Sequence, residues 1–201
     1  MRSSETLCSP SSPAAPVWRD GWLQSAVRVA SPNHDARPGG EIPGLVVIHA
    51  ISLPPDQFGS DDILRLFTNT LDPDAHPYFA GIHQLRVSSH FLIRRDGQLV
   101  QFVSCDERAW HAGVSTWWGR ERCNDFSIGI ELEGCDTLPF EAAQYAALDV
   151  LLGALGTNYP VKEVVGHCHI APQRKTDPGP LFDWSVVAAA HPELLFPWRE
   201  S

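Results

Sequence analysis

Between Val164 and Pro180 the chain carries His167, His169, Lys175 and Asp177 in one short run, led in by Val164-Val165-Gly166 and led out by Pro178-Gly179-Pro180. Imidazole and carboxylate are the groups that hold a catalytic zinc, which commonly takes three protein ligands and leaves a fourth position for water. Gly166 lets the backbone turn or approach closely, which aims the side chain that follows. If the segment is extended, His167 and His169 project to one side, so spacing leaves both open. Asp177 is a further candidate ligand. Two more histidines compete from elsewhere: His49, which ends the apolar run Leu45-Val46-Val47-Ile48, and His111 in Ala109-Trp110-His111-Ala112-Gly113. The remaining histidines, His90 among them, read as core or surface residues.

A metal-activated water also needs a base. In Ser127-Ile128-Gly129-Ile130-Glu131-Leu132-Glu133 the apolar residues alternate cleanly. Ile128, Ile130 and Leu132 share one face of a strand, and Ser127, Gly129, Glu131 and Glu133 share the other. A carboxylate in such a strand is expensive to bury without a partner or a purpose. Glu131 is therefore the leading base, with Glu133 on the same face as the alternative. Lys175 lies two residues before Asp177 and supplies a cation that could face the same point.

These side chains need a frame. The run ending at His49 is typical of a strand buried on both faces. Ala26–Ala30 alternates as a short strand. Val87–Arg94 and Leu99–Val103 flank the Asp96-Gly97 turn and predict a hairpin. Ser60 with Asp61 and Asp62 predicts a capped helix, and Asp74–Ile82 predicts a weak one. Pro139–Leu155 predicts an amphipathic helix with Gly156 as its stop. Val161–Val165 predicts a strand and Trp184–His191 a last helix. Residues 104–126, with Trp110, Trp117 and Trp118, read as a long connection of the sort that often carries function. The order implies an α/β fold: a central mixed β-sheet flanked by helices.

With 201 residues the chain is large enough to bury a real core. Residues 1–16 read as a flexible tail and 17–201 as a single domain. The formal charge of −9 opposes nucleic-acid binding, which depends on neutralising phosphates with Lys and Arg. No apolar run reaches the ~18 residues of a membrane span. Cys8, Cys105, Cys123, Cys135 and Cys168 are irregularly spaced without a CxxC pair, which fits free thiols in a reducing compartment. The N-terminus lacks the apolar core of a secretory signal, so a cytoplasmic location is expected.

The chain resembles the N-acetylmuramoyl-L-alanine amidases, a family that includes a phage lysozyme and the peptidoglycan recognition proteins. The matching runs include Gly21-Trp22-Leu23, Ser31–Pro38, Ile51–Pro55, Leu92–Gly97, Ala109–Ser115, Gly119–Gly134 and Arg174–Pro180, within about residues 20–190. The resemblance implies an amidase-like fold, Zn2+ on His49, His167 and Asp177, catalysis by Glu131 and Lys175, and no obligate protein partner. It further implies an anhydromuropeptide substrate, cut between the lactyl group of 1,6-anhydro-N-acetylmuramic acid and L-alanine during cytosolic peptidoglycan recycling. A non-catalytic relative would lack a ligand, and all three are present here. Substrate carboxylates suggest a local positive clamp, with Arg86, Arg122 and also Arg120 as candidates because guanidinium pairs bidentately with carboxylate. Trp110 is a candidate for stacking on the sugar. Ala50, where Asn is common in such chains, and His169, in place of a shorter polar residue, depart from the pattern.

Overall fold

The computed structural model describes residues 15–196. Up to residue 14, the tail expected over residues 1–16 lies outside the described residues. Among the described residues twelve strands form: β1 Trp18–Arg19, β2 Trp22–Leu23, β3 Val27–Arg28, β4 His34–Ala36, β5 Leu45–Ile51, β6 Phe91–Ile93, β7 Leu99–Gln101, β8 Glu107–Ala109, β9 Thr116–Trp117, β10 Arg120–Glu121, β11 Ser127–Glu133 and β12 Glu163–Gly166. The helices are α1 Asp62–Phe67, α2 Ala142–Asn158, α3 His167–Ile170 and α4 Trp184–Ala190.

One six-stranded sheet organises the molecule, in the order β12-β5-β11-β6-β7-β3. β11 runs parallel to both β5 and β6, β12 runs parallel to β5, and β6 and β7 form the expected antiparallel hairpin. The mixed sheet anticipated from the order of elements is thus present. The other strands pair as two-stranded ribbons, β1 with β2, β4 with β8 and β9 with β10.

The alternation in β11 decides what each face does. Ile128, Ile130 and Leu132 join Val46, Ile48, Phe91 and Ile93 against Leu148, Leu151, Leu152 and Leu155 of α2. Each such side chain contributes about 1.5–3 kcal/mol when fully buried. The opposite face is also covered, by Phe126, Val165 and Ile170 around Leu45 and Val47. A third cluster packs Leu53, Ile63, Leu66, Phe67, Phe79 and Phe102 beneath α1.

Several boundaries differ from expectation for local reasons. α2 begins at Ala142 rather than Pro139, because Phe140 turns into the core and Glu141 forms a reciprocal cap with Gln144. It passes through Gly156 and ends before Tyr159-Pro160, where the residue preceding proline is pushed to extended geometry. α1 starts at Asp62, with Ser60 Oγ accepting from the Asp62 amide and donating to the Leu53 carbonyl. Asp74–Ile82 holds only a 3₁₀ turn at Phe79–Gly81. The strand expected over Val87–Arg94 is shortened to Phe91–Ile93, since the Ser88 hydroxyl and the His90 ring take backbone groups that a ladder would use. Residues 104–126 are not structureless: they hold β8, β9, β10 and a 3₁₀ turn at Cys123–Asp125.

Candidate active site

The parallel strands β5, β11 and β12 place their carboxyl ends together, the edge at which open α/β sheets bind ligands. His49 lies near the end of β5, Glu131 near the end of β11, and His167 follows β12 directly. In the parallel register Glu131 stands opposite His49, so both side chains leave the same face. Asp177 arrives from the loop after α3, whose chain is tied back by the Cys168 amide donating to the Asp177 carbonyl at 2.9 Å.

Three ligating atoms converge. His49 Nδ1 lies 2.9 Å from His167 Nδ1 and 3.1 Å from Asp177 Oδ2, and His167 Nδ1 lies 3.1 Å from the same oxygen. Among the described residues these three form the group of His, Cys, Asp and Glu side chains able to hold a metal ion. A tetrahedral ion with bonds of about 2.0–2.1 Å spaces its ligands roughly 3.3 Å apart, so the trio needs little opening to receive one. Burial brings His49 down to about 4, which keeps its imidazole neutral. Burial alone would raise the Asp177 carboxyl, but His167 and His49 beside it outweigh that and hold it well below its ordinary value. Neutral imidazoles and an ionised carboxylate are the forms a metal requires.

The two rings are oriented by their far nitrogens. His167 Nε2 lies 3.0 Å from the Ala112 carbonyl, which can only accept, so Nε2 carries a proton and Nδ1 is the nitrogen turned toward His49 and Asp177. His49 Nε2 lies 2.9 Å from His111 Nδ1. His111, a competing ligand on sequence grounds, thus meets His49 on the side away from the trio. The competition between His167 and His169 is also decided by local geometry. The segment is a helical turn rather than extended, and His169 Nδ1 is taken by the Gly166 amide at 2.8 Å while its ring packs on Trp184.

Glu131 is 8% exposed, and its Oε2 is buried without a hydrogen-bond partner. Burial, reinforced by Asp177 and opposed by Lys175, pushes its carboxyl well above the usual range. Glu133 differs sharply: Oε1 accepts from the Gly59 amide at 2.6 Å and Oε2 from the Arg95 amide at 3.1 Å.

The convergent groups open into a cleft of about 340 Å³ that also carries Lys175 and Trp110, with Leu66, Tyr78, Ile82 and Leu85 on its apolar wall. Ala50 lines it directly after His49. Trp110 is fixed by its indole N–H, which donates to Asp35 Oδ1 at 3.1 Å, and Asp35 is gripped by Arg108. Arg86 and Arg122 are exposed and do not line the cleft, although Leu85 and Val87 beside Arg86 do. Arg122 pairs with Asp125, and Arg120 pairs with Glu41 and covers the Phe126 ring. Lys175 is the cation among the cleft-lining residues.

Sequence reasoning passed over the residues that build the frame. Asn124 Oδ1 accepts from the amides of both His111 and Ala112, fixing the loop that reaches the two imidazoles. Arg174 donates to the carbonyls of Ala112 and Val114 and straps the same loop to the ligand loop. Arg37, 6% exposed, donates to the carbonyls of Cys105, Asn124, Asp125 and Ser127. These partners are main-chain carbonyls and amides, which are invisible in sequence.

Sheet, cleft and convergent donors together define a hydrolase site of one class. The chain belongs to the N-acetylmuramoyl-L-alanine amidase family, whose sequence profile matches residues 39–180. Within that family it is similar to the 1,6-anhydro-N-acetylmuramyl-L-alanine amidase AmpD of Citrobacter freundii, 59% identical over 182 residues covering 87% of this chain and 97% of that protein. The crystal structure of a selenomethionine derivative of AmpD superposes with a TM-score of 0.84 at 60% identity, covering 87% of this chain and 98% of that one. The amidase AmiD of E. coli, in complex with the substrate anhydro-N-acetylmuramic acid-L-Ala-D-γ-Glu-L-Lys, superposes with a TM-score of 0.54 at 33% identity, covering 88% and 65%. No helix among the described residues is long and apolar enough to cross a membrane.

Proposed function

We propose that this chain is a zinc-dependent amidase that cuts the bond between the lactyl group of 1,6-anhydro-N-acetylmuramic acid and L-alanine of the stem peptide. The names of AmpD and of the AmiD substrate complex support the substrate. The observation that carries the mechanism is a bare, unpartnered Glu131 oxygen on the strand next to the His49–His167–Asp177 trio.

His49, His167 and Asp177 hold the zinc, which when bound lowers the pKa of a water from about 15.7 toward about 7 and polarises the scissile carbonyl. Glu131 takes a proton from the attacking water. The new C–O bond forms, the C–N bond breaks, and Glu131 returns the proton to the leaving nitrogen of L-alanine. Its raised carboxyl suits both halves of that transfer, a role typically worth about 10²–10⁴ in rate. Lys175 stabilises the negative charge that develops on the carbonyl oxygen. Trp110, locked by Asp35, offers a flat wall to the sugar. Arg86 is placed to approach a peptide carboxylate from the rim, and Arg122 and Arg120 act only on substrate extending beyond the cleft.

The site is carried by one amidase unit over residues 17–201. The free thiols Cys105, Cys123, Cys135 and Cys168 support work in a reducing cytosol; muropeptides recovered from the wall are the proposed substrate there, and no obligate protein partner is proposed. Chromatography of an anhydro-N-acetylmuramyl tripeptide digest tests the reading. Cleavage disappears on removal of metal and returns with zinc; undiminished cleavage by metal-free protein sinks it.

A further inference from the structure

The metal-facing nitrogen of His49 is bare only if its other nitrogen carries the proton, and the structure contains a chain of groups that dictates this. Ser127 Oγ lies 2.6 Å from the Cys123 carbonyl and 3.4 Å from His111 Nε2. The hydroxyl hydrogen goes to the nearer group, a carbonyl that can only accept. Ser127 Oγ then offers a lone pair to His111, so Nε2 of His111 is the protonated nitrogen and Nδ1 is the acceptor. That acceptor lies 2.9 Å from His49 Nε2, which must donate to it. His49 is thereby held in the tautomer that leaves Nδ1 free toward His167 and Asp177.

Space for this chain is made by a missing side chain. A Cβ on Gly129 would stand 2.5 Å from His111 Cγ and 2.7 Å from two further ring atoms. On its other side the His111 ring meets His90, and it stands at 86° to the His49 ring. The backbone is pinned by Asn124. Adjacent residues therefore orient both imidazoles of the trio: the His111 ring serves His49 and the Ala112 carbonyl serves His167.

We propose that His111 is a positioning residue for the metal, acting on His49 through Nδ1 with Ser127 and Gly129 as its supports; the proposal rests on the zinc reading above. In this role His111 acts through His49 rather than on the metal, and it also lines the cleft. Outer partners of this kind typically change metal affinity by about 10–100-fold.

The test is zinc affinity, measured by competition with a fluorescent chelator, in the wild type, His111→Phe and His111→Asn. Phe keeps a ring and removes the acceptor, leaving the His49 N–H unpaired. Asn restores an acceptor oxygen close to the position of Nδ1. The expected result is a dissociation constant raised about 10–100-fold by Phe and largely recovered by Asn. Phe binding as tightly as the wild type, or Asn as weakly as Phe, overturns the proposal, since packing alone would favour the ring. If the variants do not fold, nitrogen-15 NMR of the metal-free wild type decides. A proton on His49 Nε2 is expected, and one on Nδ1 overturns the proposal. A wild type that binds no zinc defeats the metal reading itself, a separate outcome.

Discussion

Glu131 and His49 stand side by side on two parallel strands, two residues before the carboxyl end of each. A one-residue slip of either strand would turn its own member of the pair away from the cleft, because every side chain on that strand would change face. The proposed base and a proposed ligand thus take their positions from the same hydrogen-bond ladder.

Replacing Glu131 with Gln separates chemistry from stability. The buried Oε2 has no hydrogen bond to lose, and a desolvated carboxylate is removed. The expected loss in kcat is about 10²–10⁴, with a thermal midpoint equal to or above that of the wild type. A kcat within a few-fold of the wild type would remove Glu131 from the reaction.

Glu133 gives the opposite pattern. Its oxygens receive the Gly59 and Arg95 amides, so Glu133→Ala costs about 1–3 kcal/mol of stability by stranding those donors. Urea unfolding and steady-state kinetics on one preparation distinguish the two glutamates. A Glu133 variant with native stability and abolished kcat would reverse their roles.

Arg37 is expected to carry a large share of the frame. Burial lowers its guanidinium only to about 10, so it stays cationic at neutral pH. Lysine cannot serve four separate carbonyls from one nitrogen, so Arg37→Lys is expected to cost roughly 2–4 kcal/mol. An unchanged urea midpoint would contradict the hydrogen-bond assignment.

Stability should fall on mild acidification because of His90. Burial, with the Arg37 guanidinium adding to it, drives this imidazole well below 6.5, and its Nδ1 accepts the Gly129 amide at 3.0 Å. The unfolded chain takes up a proton there below pH ~6.5 while the folded protein does not. His90 therefore leaves stability intact above about 6.5 and removes up to about 1.4 kcal/mol per pH unit below it. His90→Asn keeps an acceptor for Gly129 without the titration. Urea midpoints from pH 7.5 to 5 should fall less steeply in the variant; equal slopes would exclude His90 as the source.

How far the sequence foretold this depends on whether a feature is local. β11 was legible to the residue, since its alternation reflects a core face on Ile128, Ile130 and Leu132. β5 was legible because Leu45-Val46-Val47-Ile48, covered on both faces, is apolar throughout. The end of α2 was not: Gly156 looks outward into open space, so its helix cost of about 1 kcal/mol is outweighed by burial of Leu151, Leu152 and Leu155. The choice of His167 over His169 came from family resemblance, and its physical reason, a single helical turn after Gly166, appears only in three dimensions. Arg37, Asn124 and Arg174 escaped notice because they act on main-chain carbonyls and amides, which every sequence contains.

His167 and Asp177, two of the three proposed ligands, lie at either end of one short loop, and that loop is already closed by the Cys168 amide on the Asp177 carbonyl and the Lys175 amide on the Ala171 carbonyl. The entropy of bringing its ends together is therefore spent when the chain folds rather than when an ion arrives. Such preorganisation lowers the ordering cost of binding an ion. On the zinc reading it also uncouples the fate of the fold from that of the ion, so that protein stripped of metal is expected to stay folded and to regain activity without refolding.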